Sequence, residues 1–337
     1  MANHITLESK NELIELVPEK IVQKKYIGKG RSAKVYLSYS GDEGIATKTF
    51  TGEPVSKLIL SILTGSANPY TWCEDAIQCA MIRRRLLSAL CQIWFEDNLR
   101  LPKTFGYRWN EKHKAFEIDA EFIPGQHAPL FNPLHINQVD YMSELKNQIM
   151  KPLKDKLIES GFDGLVWQAG KGNPVAVSNF MMLNKENGSR QWIWIDLESG
   201  LPALFAMNPL STLFYYIPKC IKHRDWLFDH VDSAKLSNYL AEYKDDFTSK
   251  LGKTVYENLC SDAELLSKTQ NNWTHLTRHQ KSLYYAASQK KITEESKLYY
   301  EDKPIRWFLK SSTMLLKSGV KTIKNSVLKF FNSVYNF

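Results

Sequence analysis

Cysteine is scarce in this 337-residue chain, and no two cysteines have the spacing of a metal or redox pair. The five cysteines are Cys73, Cys79, Cys91, Cys220 and Cys260. An odd number without a C-x-x-C pair excludes a disulfide scaffold and a zinc ribbon, and it indicates reduced thiols. The first twenty residues also lack the apolar segment of a secretory signal. These absences predict a cytoplasmic protein.

Long uninterrupted hydrophobic runs are missing as well. Residues 199–218 carry no charged side chain, but Pro202, Pro209 and Pro218 interrupt them. Proline breaks a helix, and a membrane span needs about 20 continuous apolar residues. No transmembrane helix is therefore predicted in this segment.

Acidic residues are absent after Asp302, where seven basic residues follow. The formal net charge of the chain is +8, which leaves +1 for the first 302 residues. A nucleic-acid-binding protein usually carries a basic surface on its folded body. Nucleic acid is accordingly not expected as a partner.

The segment 305–337 combines this basic character with helical spacing of its apolar residues. That stripe consists of Leu309, Leu316, Val320, Ile323, Val327, Phe331 and Val334. A basic amphipathic helix is typical of proteins that lie on an anionic membrane or in the groove of a partner. We therefore expect peripheral association with the inner face of a membrane or with a partner protein. The alternative is a helix that packs on its own domain.

The residues that are present indicate an ordered α+β protein. Hydrophobic residues make up 43% of the chain and aromatic residues 12%, which is too apolar for a disordered polypeptide. Three short strands are predicted over 20–50, and two more over 99–109 and 115–123. A long helix is predicted over 72–96, where apolar residues recur at helical spacing.

The second part of the chain is predicted to be mostly helical. Helices are expected over 138–160 and 223–300, with two short strands at 178–183 and 191–197. Pro124-Gly125 separates the two parts. The predicted units are 20–125, 126–302 and the tail 303–337.

Two glycines and a lysine in the first part suit a phosphate group. Gly28-Lys29-Gly30-Arg31-Ser32 connects predicted strands, and glycine lets backbone N–H groups approach phosphate oxygens closely. Lys48 lies in a predicted strand, and an inward-facing lysine needs an anionic partner. Glu74, at the start of the long helix, could supply a carboxylate. An ordinary hairpin turn and an outward-facing lysine are the alternatives.

Two further motifs lie where strands end. Glu121-Phe122-Ile123 leads into the break at Pro124, and a backbone edge there could hydrogen-bond an adenine ring. Asn179 and Asp196 lie on the two later strands, and an amide oxygen and a carboxylate suit Mg²⁺ bound to phosphates. A plain strand end, a capping Asn and a strand-end Asp are the ordinary alternatives.

The order of these motifs, over roughly residues 20–200, resembles the protein-kinase-like superfamily. Glu121-Phe122-Ile123-Pro124-Gly125 and Ile195-Asp196-Leu197-Glu198 are similar to the M-E-Y-I-x-G and I-D-W-E motifs of aminoglycoside and choline phosphotransferases. Ala33 stands where protein kinases usually carry a third glycine. The resemblance implies a two-lobed fold with a small antiparallel-sheet N-lobe and a mostly helical C-lobe. It also implies ATP and Mg²⁺ as cofactors.

The resemblance assigns roles to individual residues. Those implied to contact the nucleotide or to support that contact are Gly28, Gly30, Ser32, Lys48, Glu74, Glu121 and Ile123. In particular, Lys48 would bind the α/β-phosphates while Glu74 holds it in place. Asn179 and Asp196 would bind Mg²⁺.

One residue of the family pattern is missing. The catalytic Asp of the family lies five residues before its Asn, where this chain has Pro174, and no Asp or Glu occurs from Gly164 to Lys185. The nearest polar candidates are Gln168, Lys171 and Asn173.

The prediction is therefore an atypical phosphotransferase that acts on a hydroxyl of a small molecule, sugar or lipid headgroup. Its catalytic residues would be Lys48, Asp196 and Asn173. One alternative is transfer of another part of the nucleotide, such as AMP. The other is a catalytically inactive pseudokinase that serves as a nucleotide-binding interaction module.

Overall fold

The predicted α+β class is confirmed by a computed structural model. It describes residues 25–30, 32–127, 139–166, 168–170, 174–185, 190–198, 229–314 and 316–317. The described strands are β1 (Lys25–Lys29), β2 (Lys34–Ser40), β3 (Glu43–Thr49), β4 (Leu99–Arg100), β5 (Thr104–Asn110), β6 (Ala115–Glu121), β7 (Gln126–His127), β8 (Phe180–Asn184) and β9 (Arg190–Trp194). The described helices are α1 (Pro54–Thr64), α2 (Glu74–Phe95), α3 (Val139–Glu144), α4 (Lys151–Glu159), α5 (Ser233–Glu242), α6 (Lys244–Leu251), α7 (Lys253–Thr274), α8 (Arg278–Ser288), α9 (Glu294–Glu301) and α10 (304–314).

The first sheet contains five antiparallel strands in the order β1-β2-β3-β6-β5. All five lie where the sequence predicts strands. Side chains alternate between the two faces of a strand, so Thr47 and Thr49 of β3 share one face. Their hydroxyls donate to Asp119 and Glu117 of β6 at 2.6 and 2.8 Å. Lys48 consequently lies on the opposite face.

Helix α2 is the long helix predicted over 72–96. Glu74 and Asp75 lie in its first turn, where carboxylates interact favourably with the helix dipole. Leu87, Cys91 and Phe95 are buried, and the helix packs against α7 and β5. Burial of one such apolar side chain contributes about 1.5–3 kcal/mol, so this face fixes α2 between the sheet and the helical part.

Three consecutive arginines interrupt the apolar surface of α2. Arg83 donates to the hydroxyl of Tyr70, and Arg85 forms a two-point ion pair with Asp262 on α7. Arg84 lies at the cavity between the first sheet and the following strands. Consecutive helical residues are about 100° apart around the axis, so the three side chains leave α2 in different directions.

A second sheet has the strand order β4-β9-β8-β7. Strands β8 and β9 are the two predicted short strands, whereas no pattern in the sequence predicts the parallel pairing of β4 with β9. Beyond the strand ends, the N–H of Ile195 donates to the carbonyl oxygen of Asn179 at 2.9 Å. This bond keeps Asn179 next to the segment that carries Asp196.

The described helices beyond β7 lie where they are predicted, and a π-helical segment, Leu145–Met150, joins α3 to α4. Leu153, Leu240 and Leu266 from these helices are fully buried in the same hydrophobic core as Phe50 and Ile118 of the first part. One core therefore runs through the sheet and the helical part, and it fixes their relative position.

The start of the tail packs on the helical part. Trp307 of α10 is buried against Leu283 of α8, and its Nε1–H donates to Ser282 Oγ at 3.0 Å. The exposed apolar side chains nearby are Ile305, Phe308, Leu309 and Leu316. The rest of the predicted amphipathic helix, 318–337, lies outside the described residues. Within the described ranges, no helix combines the length and apolar character needed to cross a bilayer.

Candidate functional site

A cavity of about 430 Å³ lies between the first sheet and the β8–β9 strand pair. Its walls include the glycine loop, the inward face of β3, the β6 end and both later strand ends. The predicted site residues that line it are Gly28, Gly30, Ser32, Lys48, Glu121, Ile123, Asn179 and Asp196. The fold therefore brings together four motifs that are far apart in the sequence.

The glycine loop forms one wall of this cavity. The N–H of Gly30 donates to the carbonyl oxygen of Ala33 at 2.8 Å, and Ser32 accepts from the N–H of Gly52 at 2.9 Å. A Cβ atom at Gly28 would meet nothing within 4 Å, and one at Gly30 would meet only the Ala33 oxygen at 3.7 Å. Neither glycine is therefore required by a close contact with the described residues, and both positions are open on the cavity side.

Lys48 projects from β3 towards the metal motif. Its Nζ donates to Asp196 Oδ1 at 2.6 Å and to Glu198 Oε2 at 2.8 Å. Burial by itself lowers the pKa of the lysine, but the two carboxylates outweigh it and raise the pKa of Lys48. Lys48 is therefore charged, and it already lies beside the carboxylate that the sequence assigns to Mg²⁺.

Glu198 joins this lysine to α2. Arg84 donates to both carboxylate oxygens of Glu198, at 2.7 and 3.0 Å. The Glu198 side chain is 1% exposed and that of Arg84 is 4% exposed. Burial would raise the pKa of Glu198, yet Arg84 and Lys48 hold it well below its usual range. With Asp196 included, the cluster contains two cations and two anions.

The expected pair between Lys48 and Glu74 is not formed. Glu74 begins α2 and accepts a hydrogen bond from the hydroxyl of Tyr107 at 3.2 Å. It does not line the cavity. Helix α2 reaches the cavity only at Arg84, almost three turns later, and an arginine cannot hold a lysine directly. Glu198 provides the missing carboxylate from the opposite side.

Asn179 and Asp196 face the same cavity. The side-chain amide of Asn179 donates to the carbonyl oxygen and to Oε1 of Gln168, at 3.0 and 2.9 Å. Both Asn179 contacts use its nitrogen, which leaves its oxygen as the atom suited to a cation. The described residues contain no group of three or more His, Cys, Asp and Glu side chains arranged to hold a metal. Asn179 and Asp196 can thus supply two oxygen ligands, and Mg²⁺ commonly obtains the rest from phosphates and water.

The predicted adenine contact lies at the end of β6. Glu121 and Phe122 donate their N–H groups to Lys103 and Gly44, at 2.8 and 2.9 Å. The Glu121 carboxylate binds Arg100 at two points. Ile123 follows, is almost fully buried and lines the cavity. Its N–H makes no hydrogen bond with the described residues, so this backbone donor has no partner there.

Asn173, the third predicted catalytic residue, lies outside the described residues, as does Lys171. A short 3₁₀ helix, Pro174–Asn179, follows it and leads into β8. Gln168 is described, but its side chain supports Asn179.

Sequence reasoning missed the structural roles of Arg84 and Glu198. A signal was present, because three arginines in the middle of a largely apolar helix are unusual and a buried arginine needs an anion. Nothing in the local sequence identified that anion, since Glu198 lies 114 residues further along the chain.

No protein-family model matches the sequence, and no curated protein matches it. Among solved structures, a double mutant of the PknI kinase domain from Mycobacterium tuberculosis is similar at a TM-score of 0.30 and 14% identity, covering 74% of this chain and 95% of that one. A further PknI kinase domain structure has a TM-score of 0.25 and 11% identity, with coverages of 74% and 97%. WaaP in complex with acyl carrier protein has a TM-score of 0.24 and 13% identity, with coverages of 74% and 87%.

Similarities at these TM-scores carry no argument about activity. The chain's own arrangement is more informative, because the antiparallel sheet meets the helical part at a cavity. In that cavity a strand lysine meets the carboxylate of the D-x-E motif. This arrangement agrees with the two-lobed α+β fold and the meeting of motifs expected from the sequence, apart from Glu74.

Proposed function

We propose that this chain binds ATP together with Mg²⁺ in the 430 Å³ cavity and acts as an atypical phosphotransferase. The observation that carries the proposal is the position of Lys48, whose Nζ lies 2.6 Å from Asp196 opposite the glycine loop. A lysine, a glycine loop and a cation ligand around one cavity are the parts that phosphoryl transfer requires.

The parts of ATP match different walls of the cavity. The Ile123 N–H suits the adenine ring, and the loop at Gly28 and Gly30 suits the phosphates. Asn179 and Asp196 would hold Mg²⁺, which neutralises phosphate charge when it is bound. Each part of the nucleotide would therefore find a partner already in place.

Lys48 would change partners when the nucleotide binds. Asp196 is 40% exposed whereas Glu198 is 1% exposed, so Asp196 is the carboxylate that a cation in the cavity can reach. Lys48 would then exchange Asp196 for phosphate oxygens while Glu198 and Arg84 keep its position. In this way the protein avoids leaving a buried charge without a partner.

The acceptor would be a hydroxyl of a small molecule, sugar or lipid headgroup. Its oxygen forms a bond to the γ-phosphorus, the bond to the ADP oxygen breaks, and the hydroxyl proton passes to water or a neutral side chain. A general base typically contributes about 10²- to 10⁴-fold. The absence of a carboxylate from Gly164 to Lys185 should therefore slow the transfer without preventing it.

The same absence favours a second candidate, a pseudokinase that binds nucleotide and acts as an interaction module. Its cavity would be occupied in the same way, but no group would be transferred. Transfer of AMP in place of the γ-phosphoryl group is a further variant of the enzyme. Separate labels on the α- and γ-phosphates of ATP distinguish these three functions.

ATP binding is the first test. Replacing Lys48 by alanine should weaken Mg·ATP binding by about ten- to a hundredfold, because a hydrogen bond to a charged group contributes about 1.5–3 kcal/mol. Calorimetric titration of the full chain, with and without Mg²⁺, measures the effect. Lys154→Ala is the matched control, because Lys154 is paired with Asp155 at 3.1 Å outside the cavity. Equal affinities of the wild type and Lys48→Ala, whether tight or negligible, would contradict the proposal.

We also propose that residues 305–337 hold the protein on an anionic membrane surface or a partner. Trp307 anchors α10 to α8, while Phe308 and Leu309 remain 60% and 62% exposed. The basic residues that follow Asp302 would add about 1 kcal/mol each near an anionic leaflet. The exposed apolar face and the charge would thus act on the same surface.

The double variant Phe308→Gln, Leu309→Gln should bind anionic vesicles at least about tenfold more weakly, because burying each apolar side chain contributes about 1.5–3 kcal/mol. Vesicle co-sedimentation of the full chain measures this binding. Salt should weaken the wild type only in part, because it screens the charge contribution alone. Leu298→Gln on α9 is the control, since Leu298 is 66% exposed but lies outside the tail. Unchanged vesicle binding by the double variant would exclude this role for α10.

A further inference from the structure

A second cavity, of about 310 Å³, lies between α1, α8 and α10 and is lined by lysines. Lys57 enters it from α1, and Lys291 enters from the segment after α8. Ser61 and Ser282 contribute hydroxyl groups to the same walls. None of the residues that line this cavity is acidic, so its described walls offer donors and positive charge without a compensating anion.

The lysines lack acidic partners among the described residues. Lys57 forms no ion pair there, and the ammonium of Lys291 lies over the ring of Tyr285, 5.2 Å from its centre. The nearby acids are already paired: Glu53 with Lys29 and Glu111 with Lys290, both at 2.9 Å, and Glu294 with Lys297 at 3.0 Å.

The electrostatic environment agrees with this geometry. Burial lowers the pKa of Lys57, and the positive charges of Lys291 and Lys34 lower it further. Lys291 is exposed, but partial desolvation lowers its pKa as well, with a contribution from the charge of Lys114. Lys57 and Lys291, the two lysines that line the cavity, therefore repel each other, and a bound anion would relieve that repulsion.

We propose that this cavity binds a phosphate monoester, separately from the nucleotide site. Two ammonium groups match a phosphate monoester, which carries a charge of about −1.5 to −2 and several acceptor oxygens. Ser61 and Ser282 can donate to those oxygens, because the Ser282 hydroxyl oxygen accepts from Trp307 and keeps its own proton for donation. A carboxylate would balance only one of the two lysines.

A neighbouring cavity of about 350 Å³ suggests where the organic part of the ester would lie. The two cavities share Ser61, Ser282 and Trp307, and the second adds Ile305 and Phe308. An ester with its phosphate between the lysines could place an apolar substituent along this second cavity. The source could be a soluble phosphate ester or the headgroup of a phospholipid.

The test uses the full chain and inorganic phosphate as the first probe, at constant ionic strength. Calorimetric titration should show saturable binding that the double variant Lys57→Gln, Lys291→Gln weakens by about tenfold or more. Lys290→Gln is the matched control, because it removes one charge next to Lys291 from a residue paired with Glu111. Any phosphate bound at Lys48 in the nucleotide site is lost in Lys48→Ala, so this variant should keep the part of the phosphate binding that depends on Lys57 and Lys291, which separates the two sites.

Two further arms identify the source of the phosphate. Glycerol 3-phosphate tests a soluble ester. Vesicles of phosphatidic acid, compared with phosphatidylglycerol vesicles of equal charge, test a monoester headgroup. Binding of glycerol 3-phosphate, or stronger binding to phosphatidic acid than to phosphatidylglycerol, supports the site if it is lost in the Lys57→Gln, Lys291→Gln variant.

The proposal is wrong if the double variant binds every probe as the wild type does, or if the wild type binds none of them. Folding does not confound the result, because these two lysines have no described carboxylate partner to lose. The melting temperature of the double variant without phosphate should equal or exceed that of the wild type. A marked decrease would instead show that the lysines stabilise the fold, and would also contradict the proposal.

Discussion

Replacing Glu198 by glutamine is expected to lower the free energy of unfolding by about 3–5 kcal/mol, the usual loss when one partner of a buried ion pair is removed. Glutamine has nearly the same volume, so the effect comes from charge. Arg84 would remain buried without its anion, and Lys48 would keep only the more exposed Asp196. Urea denaturation of the full chain, followed by tryptophan fluorescence, measures this loss.

A second pair with the same chemistry provides the control. Glu121 and Arg100 also form a two-point contact, but their side chains are 32% and 34% exposed. Glu121→Gln should therefore lower the free energy of unfolding by no more than about 1 kcal/mol. Changing Arg84 and Glu198 together to methionine should recover much of the loss, because no unpaired charge then remains in that pair. If Glu198→Gln and Glu121→Gln lowered the free energy of unfolding equally, the buried pair would contribute no more to stability than the exposed pair.

Acid provides an independent measurement of the same contribution. The pKa of Glu198 is lowered on folding from its ordinary value of 4.5. Its stabilisation is therefore fully present above pH 4.5 and is lost progressively as the pH falls below that value. The Glu198→Gln variant lacks this loss, so the difference in unfolding free energy between it and the wild type should narrow in acid.

The Asp196→Asn variant should lose transfer from labelled ATP by about a thousandfold or more while it stays folded. Metal stabilisation of the transferring group is worth several kcal/mol, and each 1.36 kcal/mol is tenfold in rate. Asparagine keeps the shape of the side chain but supplies a weaker ligand. The measurement is label transfer from γ- and α-labelled ATP to the components of a cell extract.

The fold of this variant can be checked separately. Asp196 is 40% exposed and Glu198 still holds Lys48, so the melting temperature should change little. ATP binding without Mg²⁺ should also persist. Transfer at the wild-type rate by Asp196→Asn would exclude the metal role, whereas a wild type that binds ATP and transfers neither label would favour the pseudokinase.

Much of the fold could be predicted from the sequence because it depends on local patterns. Strand residues around Lys48, the helical spacing before Phe95 and the break at Pro124 all produce signals within about ten residues. The order of the motifs then predicted which residues would meet at one cavity. The predicted site residues that the structure describes line that cavity, except Glu74.

The remaining features depend on partners that local patterns do not specify. A carboxylate near the start of α2 looked suitable for Lys48, but the helix presents Arg84 to the cavity. Strand β4 contains only two residues, and it pairs with residues of β9 about ninety positions further along the chain. A pattern this short does not specify its partner. The apolar stripe of the tail likewise did not predict that Trp307 would be buried. Helical periodicity identifies an apolar face, but it does not identify the element that packs against that face.

The three arginines of α2 have a consequence for regulation. Tyr70, the carboxylate of Glu198 and Asp262 lie on different sides of the helix, so turning or sliding α2 would break at least one contact. Arg84 and Glu198 are both almost fully buried, and leaving either charge without its partner costs about 3–5 kcal/mol. An incoming signal would have to supply that free energy before it could switch the site off by moving this helix. The contacts that fix α2 therefore also fix the positions of Lys48, Glu198 and Arg84 at the cavity wall.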